Sequence, residues 1–324
     1  MQCFTRVLHI FALLGVFVIA VGCNESKPAI ANKTVKSPSK RVFAVSYPLQ
    51  FLTQKIAGNE IEVLVPFTSN DHPCSFRPPR EMISQMQAAD LIIANGTGAT
   101  YAKWLDTVSL PDSKVVNTAS RGLALKEYIA VENASIVHSH GPEGEHSHPV
   151  MASRTWLDPA LAKKQAAYIE KQLAKIYPGQ AGKFAANLKS LTEELDRLTE
   201  KLQNAKTLEA PIVMSMGSEF KFLSRAAGVT DQTVVGFEAE NSTIPTLEIL
   251  KQGLEKQLAK LDPKPGSVLI EESVSLEKEL AKTIMSFGLS PVVLDPLDHQ
   301  PASGDYLTAM ERNIANLSTA IGSQ

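Results

Sequence analysis

Two rhythms of apolar residues alternate along this chain. Short β-branched runs at 42–46, 61–65, 91–94 and 114–116 read as strands, and 3.6-residue patterns at 49–57 and 79–89 read as helices. Beyond a polar stretch, Asp158 followed by Pro159 marks a helix start that continues to Tyr177, where Pro178-Gly179 stops it. Leu188, Leu191, Leu195, Leu198 and Leu202 then recur at three and four residues. They predict a long helix over 182–206 with one buried face. Strand candidates return at 212–215, 233–235, 268–271 and 292–295, alternating with helices at 219–227, 245–260, 276–287 and 305–321. Such alternation predicts an α/β fold with two lobes, each built on a parallel sheet covered on both faces, and the long helix as a rigid strut between them. Ligands of open parallel sheets bind beyond the carboxyl ends of the strands, where Glu271, Asp295 and the pair Asp298-His299 are expected. A cleft between the lobes is the natural seat for a solute.

The N-terminal segment has a different character. Arg6 precedes a nearly unbroken apolar run at 7–21, short for a membrane span and suited to a signal-peptide core. It ends in Ala20-Val21-Gly22-Cys23, which resembles a bacterial lipobox with Cys23 as the lipidated residue. The Lys-, Ser- and Pro-containing stretch 24–40 lacks periodicity and reads as a tether. The expected organisation is therefore signal peptide 1–23, tether 24–40, N-terminal α/β lobe 41–157 with a histidine-rich loop at 132–152, helical region 158–207, and C-terminal α/β lobe 208–324. With Cys3 removed and Cys23 lipidated, Cys74 stands alone, so no intramolecular disulfide is expected and the core must hold the fold. The net charge of −2 gives no reason to expect nucleic acid or an acidic membrane surface as partner.

The strongest chemical signal is His138-Ser139-His140 followed by His146-Ser147-His148. Imidazole is largely neutral near pH 7 and is a common ligand of zinc, so paired His-x-His units in an exported chain point to a transition metal. A solvated histidine-rich loop with incidental affinity is the plain alternative. Cys74 reads either as a soft thiolate ligand, which with Met216 would favour copper(I) or zinc, or as a small buried thiol. Glu271 at a strand end reads as a ligand or as a solvated acid. A zinc hydrolase would need an open coordination position and a general base, and the chain contains no HExxH pair.

Tyr47-Pro48-Leu49, the run 88–96, Trp156-Leu157-Asp158-Pro159, Leu294-Asp295-Pro296-Leu297 and Gly304-Asp305-Tyr306, with the lipobox and histidine-rich loop, resemble the substrate-binding lipoproteins of zinc and manganese ABC importers, the ZnuA/TroA type. The resemblance covers about 41–321. It implies a metal clamped between two lobes and handed to a membrane permease with its ATPase. The departures are specific. Where the family has Asp-Pro-His-Ser-Phe-Glu-Pro, this chain has His72-Pro73-Cys74-Ser75-Phe76-Arg77-Pro78, so Cys74 takes the ligand position. Arg154 stands where a second histidine belongs, and the third ligand position falls near Met216 or Gly217, with Glu219 close by. Asp305 is the acidic ligand that the resemblance retains. Either the loop histidines join Asp305 in a rebuilt site, with Arg154 steadying Asp305 or Glu271, or the cleft has lost its metal and Arg154 pairs a carboxylate or receives an anion.

The expected function is capture, not catalysis. The chain would be an extracytoplasmic, lipid-anchored monomer, in the periplasm or at the outer cell surface, that feeds zinc, or manganese or copper, to an ABC permease. The expected metal ligands are His138, His140, His146, His148, Asp305, Cys74 and Glu271. A metal-buffering or adhesin-like surface lipoprotein and a zinc hydrolase are the rival readings.

Overall fold

The computed structural model describes residues 40–68, 71, 73, 75–97, 101–139, 145–205, 212–234, 246–262, 265–272 and 277–322, with backbone alone for 132–139, 145–149 and 277. The expected signal peptide (1–23) and all but Lys40 of the expected tether, with Cys23, His72, Cys74 and His140, lie outside the described residues.

The first sheet holds strands β1 (Arg41–Ala44), β2 (Glu62–Leu64), β3 (Leu91–Ala94) and β4 (Val115–Asn117) in the order β2-β1-β3-β4, every pair parallel. Helices α1 (Tyr47–Ala57) and α2 (Arg80–Ala88) make its crossovers, and α3 (Thr118–Gly122) follows β4. All four residues of β3 are buried, as expected of a strand covered on both faces.

An antiparallel ribbon comes next, β5 (Ala130–Ser139) with β6 (Glu145–Met151). Its strands take up 132–139 and 145–151 of the loop expected at 132–152. The His-x-His spacing is also the period of a strand, and ladder pairing satisfies the backbone of this polar stretch where a loop would leave it to water.

Helix α4 (Pro159–Ile176) starts as its sequence predicts, with the Asp158 carboxylate accepting from the N–H groups of Ala160 (2.9 Å) and Leu161 (3.4 Å). Helix α5 (Ala181–Asn204) buries Phe184, Leu191, Leu195, Leu198 and Leu202. Leu188 is only partly buried. Four strands then repeat the first sheet: β7 (Ile212–Ser215), β8 (Thr230–Thr233), β9 (Ser267–Glu271) and β10 (Ser290–Leu294) in the order β8-β7-β9-β10, again all parallel. Between them run α6 (Lys221–Ala227), α7 (Leu247–Leu258) and α8 (Glu277–Ser286), and α9 (Tyr306–Gly322) closes the chain. β8 begins three residues before the apolar run expected at 233–235. Register decides this edge strand: Ile212 of β7 pairs with Thr230, so the polar Thr230-Asp231-Gln232 segment carries the ladder.

One apolar core spans both lobes. It runs from Phe43 and Ile92 through Leu195 and Leu198 of α5 to Val213, Leu269 and Tyr306. A second cluster, with Met214, Leu254, Val268 and Ile284, packs the other face of the second sheet under α7 and α8. Helix α5 touches α1 and α4 on one side and α6 and α9 on the other, so it bridges the halves as its leucine stripe predicts. Among the described residues no helix is long and apolar enough to cross a membrane. Leu195, with no exposed surface, is the test of this strut: Leu195→Ala is expected to cost about 3 kcal/mol in urea unfolding, against less than about 1 kcal/mol for Leu188→Ala, and equal losses would contradict a one-faced helix.

Candidate functional site

In both sheets the strand order reverses beside the first strand, so crevices open beyond the carboxyl ends of β1 and β3 and of β7 and β9. The second crevice is acidic. Glu219 lies four residues after β7, Glu271 ends β9, and Asp298 follows β10. Opposite them the segment after β6 supplies one cation, Arg154.

Arg154 is held from behind by a buried polar network. The Asn95 amide, just past β3, donates to the Ser153 carbonyl at 2.5 Å. Its Oδ1 accepts from the Thr155 hydroxyl (3.0 Å) and from Gln165 Nε2 of α4 (2.8 Å), and Gln165 Nε2 also reaches the Thr118 hydroxyl (2.8 Å). Asn95, Thr118, Thr155 and Gln165 are all buried, so each lost bond would leave an unsatisfied group. Residues 153 and 155 are thereby fixed on either side of position 154.

The Asp298 loop is held just as closely. Asn313 of α9, fully buried, accepts from the Asp295 N–H (2.9 Å) and donates to the Asp295 carbonyl (2.7 Å). The Asp295 carboxylate accepts from the Leu297 N–H (2.8 Å), and Leu297 adopts φ +61°. Left-handed backbone at a leucine costs on the order of 1 kcal/mol and persists only where surroundings impose it. Here it turns the chain so that Asp298 faces Arg154.

The two meet as a bidentate pair: Arg154 Nε donates to Asp298 Oδ1 at 3.1 Å and Nη2 to Oδ2 at 2.5 Å. Arg154 is 8% exposed and Asp298 4%. Burial alone would lower the Arg154 pKa, but the carboxylates of Asp298, Glu219 and Glu271 raise it well above its ordinary value. The guanidinium is a permanent charge. Nearby, Trp156 Nε1 donates to the Pro296 carbonyl (3.0 Å) and the Tyr306 hydroxyl donates to the Trp156 carbonyl (2.6 Å), which extends the seam between the lobes.

Glu219 feels the other side of this cluster. Burial pushes its pKa from 4.5 up to about 7; Arg154 pulls it down, while Glu271 and Asp298 push it up. Its carboxylate folds over Gly217, where a Cβ would overlap the carboxylate oxygens.

The structure brings together only part of the expected ligand set. The charge of Glu271 acts on Arg154. The partner of Arg154 is Asp298, in place of the expected Asp305 or Glu271, because the loop after β10 presents Asp298 to the guanidinium. Asp305 caps α9: its Oδ1 accepts from the Thr308 N–H and hydroxyl, both at 3.0 Å. His299 packs edge-on against Phe67, ring centroids 5.8 Å apart. In the ribbon, His138 lies directly opposite His146, and His148 opposite Ile136. Opposed residues of an antiparallel pair share a face, as do residues two apart, so the register puts positions 138, 146 and 148 on one face. Among the described residues no group of three or more His, Cys, Asp or Glu could hold a metal ion.

A family model described as "ZnuA: Zinc-uptake complex component A periplasmic" matches residues 42–320. The chain belongs to this family. Among similar proteins, the "Zinc-binding protein AdcA" of Streptococcus pyogenes serotype M3 is 25% identical over 332 aligned residues, covering 96% of this chain and 61% of that protein. The chain thus spans about three-fifths of the length of AdcA. The "Manganese ABC transporter substrate-binding lipoprotein PsaA" of Streptococcus mitis is 26% identical, with 96% of this chain and 97% of PsaA covered. The solved structure of the substrate-binding protein FpvC from Pseudomonas aeruginosa, in complex with Mn2+, superposes with TM-score 0.70 at 19% identity over 88% of this chain and 99% of that one, a likeness of fold. The two-lobed α/β architecture is the architecture of this ZnuA-type family.

Because the Glu219 pKa is raised, the folded ZnuA-family chain holds a proton there that the unfolded chain has lost between pH 4.5 and about 7. That carboxyl costs stability as pH rises through this window, by at most about 3 kcal/mol. Glu219→Gln is therefore expected to gain stability over the parent at pH 8 but little at pH 4.5, read by thermal melts across the range; a gain independent of pH would contradict this account.

Proposed function

We propose that this chain is an extracytoplasmic binding component of an ABC importer that captures a divalent transition metal, zinc foremost and manganese or copper as alternatives, and passes it to a permease and its ATPase. Membership of the zinc-uptake family over 42–320 supports this reading, and AdcA and PsaA carry matching names. The observation that carries it is the ribbon register, which gathers three of the four clustered histidines on one face. Neutral imidazoles there would be the main donors, with His140 as the fourth. Cys74, Asp305 and Glu271, the other expected ligands, are not part of this ribbon set. Lipidation at Cys23 would tether the chain, as a monomer, to the membrane. The role is capture and release, which needs no open coordination position of the kind a zinc hydrolase requires.

A second reading is favoured by Arg154. A surface lipoprotein that buffers metal, or acts as an adhesin, without passing the ion on would have no need of a metal in the cleft. Zinc accumulation by zinc-starved cells separates the two, since deletion of the gene lowers it only if the protein feeds an importer.

Calorimetric titration of the full-length chain in detergent tests metal capture directly. Zinc is expected to bind at sub-micromolar strength, and changing His138, His140, His146 and His148 together to alanine should weaken it by about 100-fold or more. Binding should also fade from pH 7 to pH 5, as protons compete for imidazoles of ordinary pKa about 6.5. Undiminished affinity in the fourfold variant would sink the ribbon as the capture site.

A further inference from the structure

We propose that Arg154 is the specificity determinant of the interlobe crevice: a built-in cation, held bidentately by Asp298, that keeps divalent ions out of it. This rests on the reading that metal is captured at all, and it deepens that reading by assigning capture to the ribbon alone.

Asp298, in the loop after β10, takes Arg154 with both carboxylate oxygens, and the charges of Glu219, in the turn after β7, and Glu271, at the end of β9, act on the same guanidinium. Carboxylates so gathered repel one another in a partly dehydrated crevice, and a positive charge relieves the repulsion where protonation, as at Glu219, does not. A divalent ion or an arginine can supply it. Here the guanidinium already does, and both Asp298 oxygens are spent on its two parallel donors. A guanidinium cannot lose its proton to become a ligand, so a metal arriving at these oxygens would meet a fixed positive charge. Nor can Arg154 swing aside cheaply. Its neighbours Ser153 and Thr155 are pinned by Asn95 and Gln165, and Trp156 is fully buried with its ring nitrogen on the Pro296 carbonyl.

The same pair joins the segment leaving the ribbon to the second lobe. In a crevice closed by metal, the lobes would be drawn together only when the ion is present. Here Arg154 and Asp298 make that connection permanently, so the crevice should be equally closed with and without zinc.

The test counts zinc in three full-length proteins in detergent: the parent, the fourfold ribbon variant, and the fourfold variant with Arg154→His, with thermal melts to confirm folding. The ribbon variant should hold no tight zinc. Adding Arg154→His removes the guanidinium, supplies an imidazole to the three carboxylates, and should restore one equivalent with at least about 100-fold tighter binding than the ribbon variant. A tight zinc in the ribbon variant, abolished by Asp298→Asn, would overturn the proposal, as would a folded Arg154→His protein that gains nothing. If that protein does not fold, anomalous diffraction from zinc-soaked crystals of the parent decides: the proposal expects no zinc peak within coordination distance of Asp298, Glu219 or Glu271, and a peak there refutes it. Should the parent bind no zinc while the Arg154→His protein gains a site, the metal-capture reading fails and the role of Arg154 stands.

Discussion

The bidentate pair between Arg154 and Asp298 is the constraint around which the centre of this molecule is arranged. Breaking one partner out of such a pair leaves an uncompensated buried charge and typically costs about 3–5 kcal/mol, although the intact pair itself can be worth little net stability. Its value is therefore one of specification. It fixes where the segment between the ribbon and α4 must lie, and around that point the Asn95–Gln165 network, the left-handed turn at Leu297 and the Trp156–Pro296 and Tyr306–Trp156 hydrogen bonds fall into mutually consistent positions. Each lobe is an ordinary parallel sheet. What makes them one body is this seam together with the leucine face of α5.

Seam and strut also divide the labour of the fold. Helix α5 supplies continuous apolar burial from the first sheet to the second, which is non-directional and tolerant of detail. The seam is polar and directional, and it sets the chemistry of the crevice. With both Asp298 oxygens on the Arg154 guanidinium, that crevice already holds a fixed positive charge, while the clustered histidine positions belong to the ribbon.

Much of this was readable from the chain. The leucines of α5 at three- and four-residue spacing, Asp158 before Pro159, and the β-branched runs at Leu91–Ala94 and Ile212–Ser215 predicted elements that formed nearly where expected, because local period and cap chemistry agree with burial. The ribbon was not legible as strands, since a histidine at every second position reads equally as ligand spacing and as strand alternation, and few apolar residues break the tie. β8 was placed too late because pairing to β7, a property of the sheet, outweighs the apolar content of an edge strand. The substitution of Arg154 for a ligand was visible in sequence, but its partner was not. Asp298 lies 144 residues away, and only the turn at Leu297 brings the two together. Asp305 shows the reverse case: an acid at the start of a helix with Thr308 three residues on is a capping signal, and the structure uses it as one.

The central claim is that imidazoles of the ribbon, and not carboxylates of the crevice, hold the metal. X-ray absorption at the zinc edge of the chain loaded with one equivalent tests this most directly. The account predicts a first shell dominated by nitrogen at about 2.0–2.1 Å with the outer-shell scattering of several imidazole rings. A shell dominated by carboxylate oxygen, without imidazole scattering, would place the ion in the crevice despite Arg154 and contradict it.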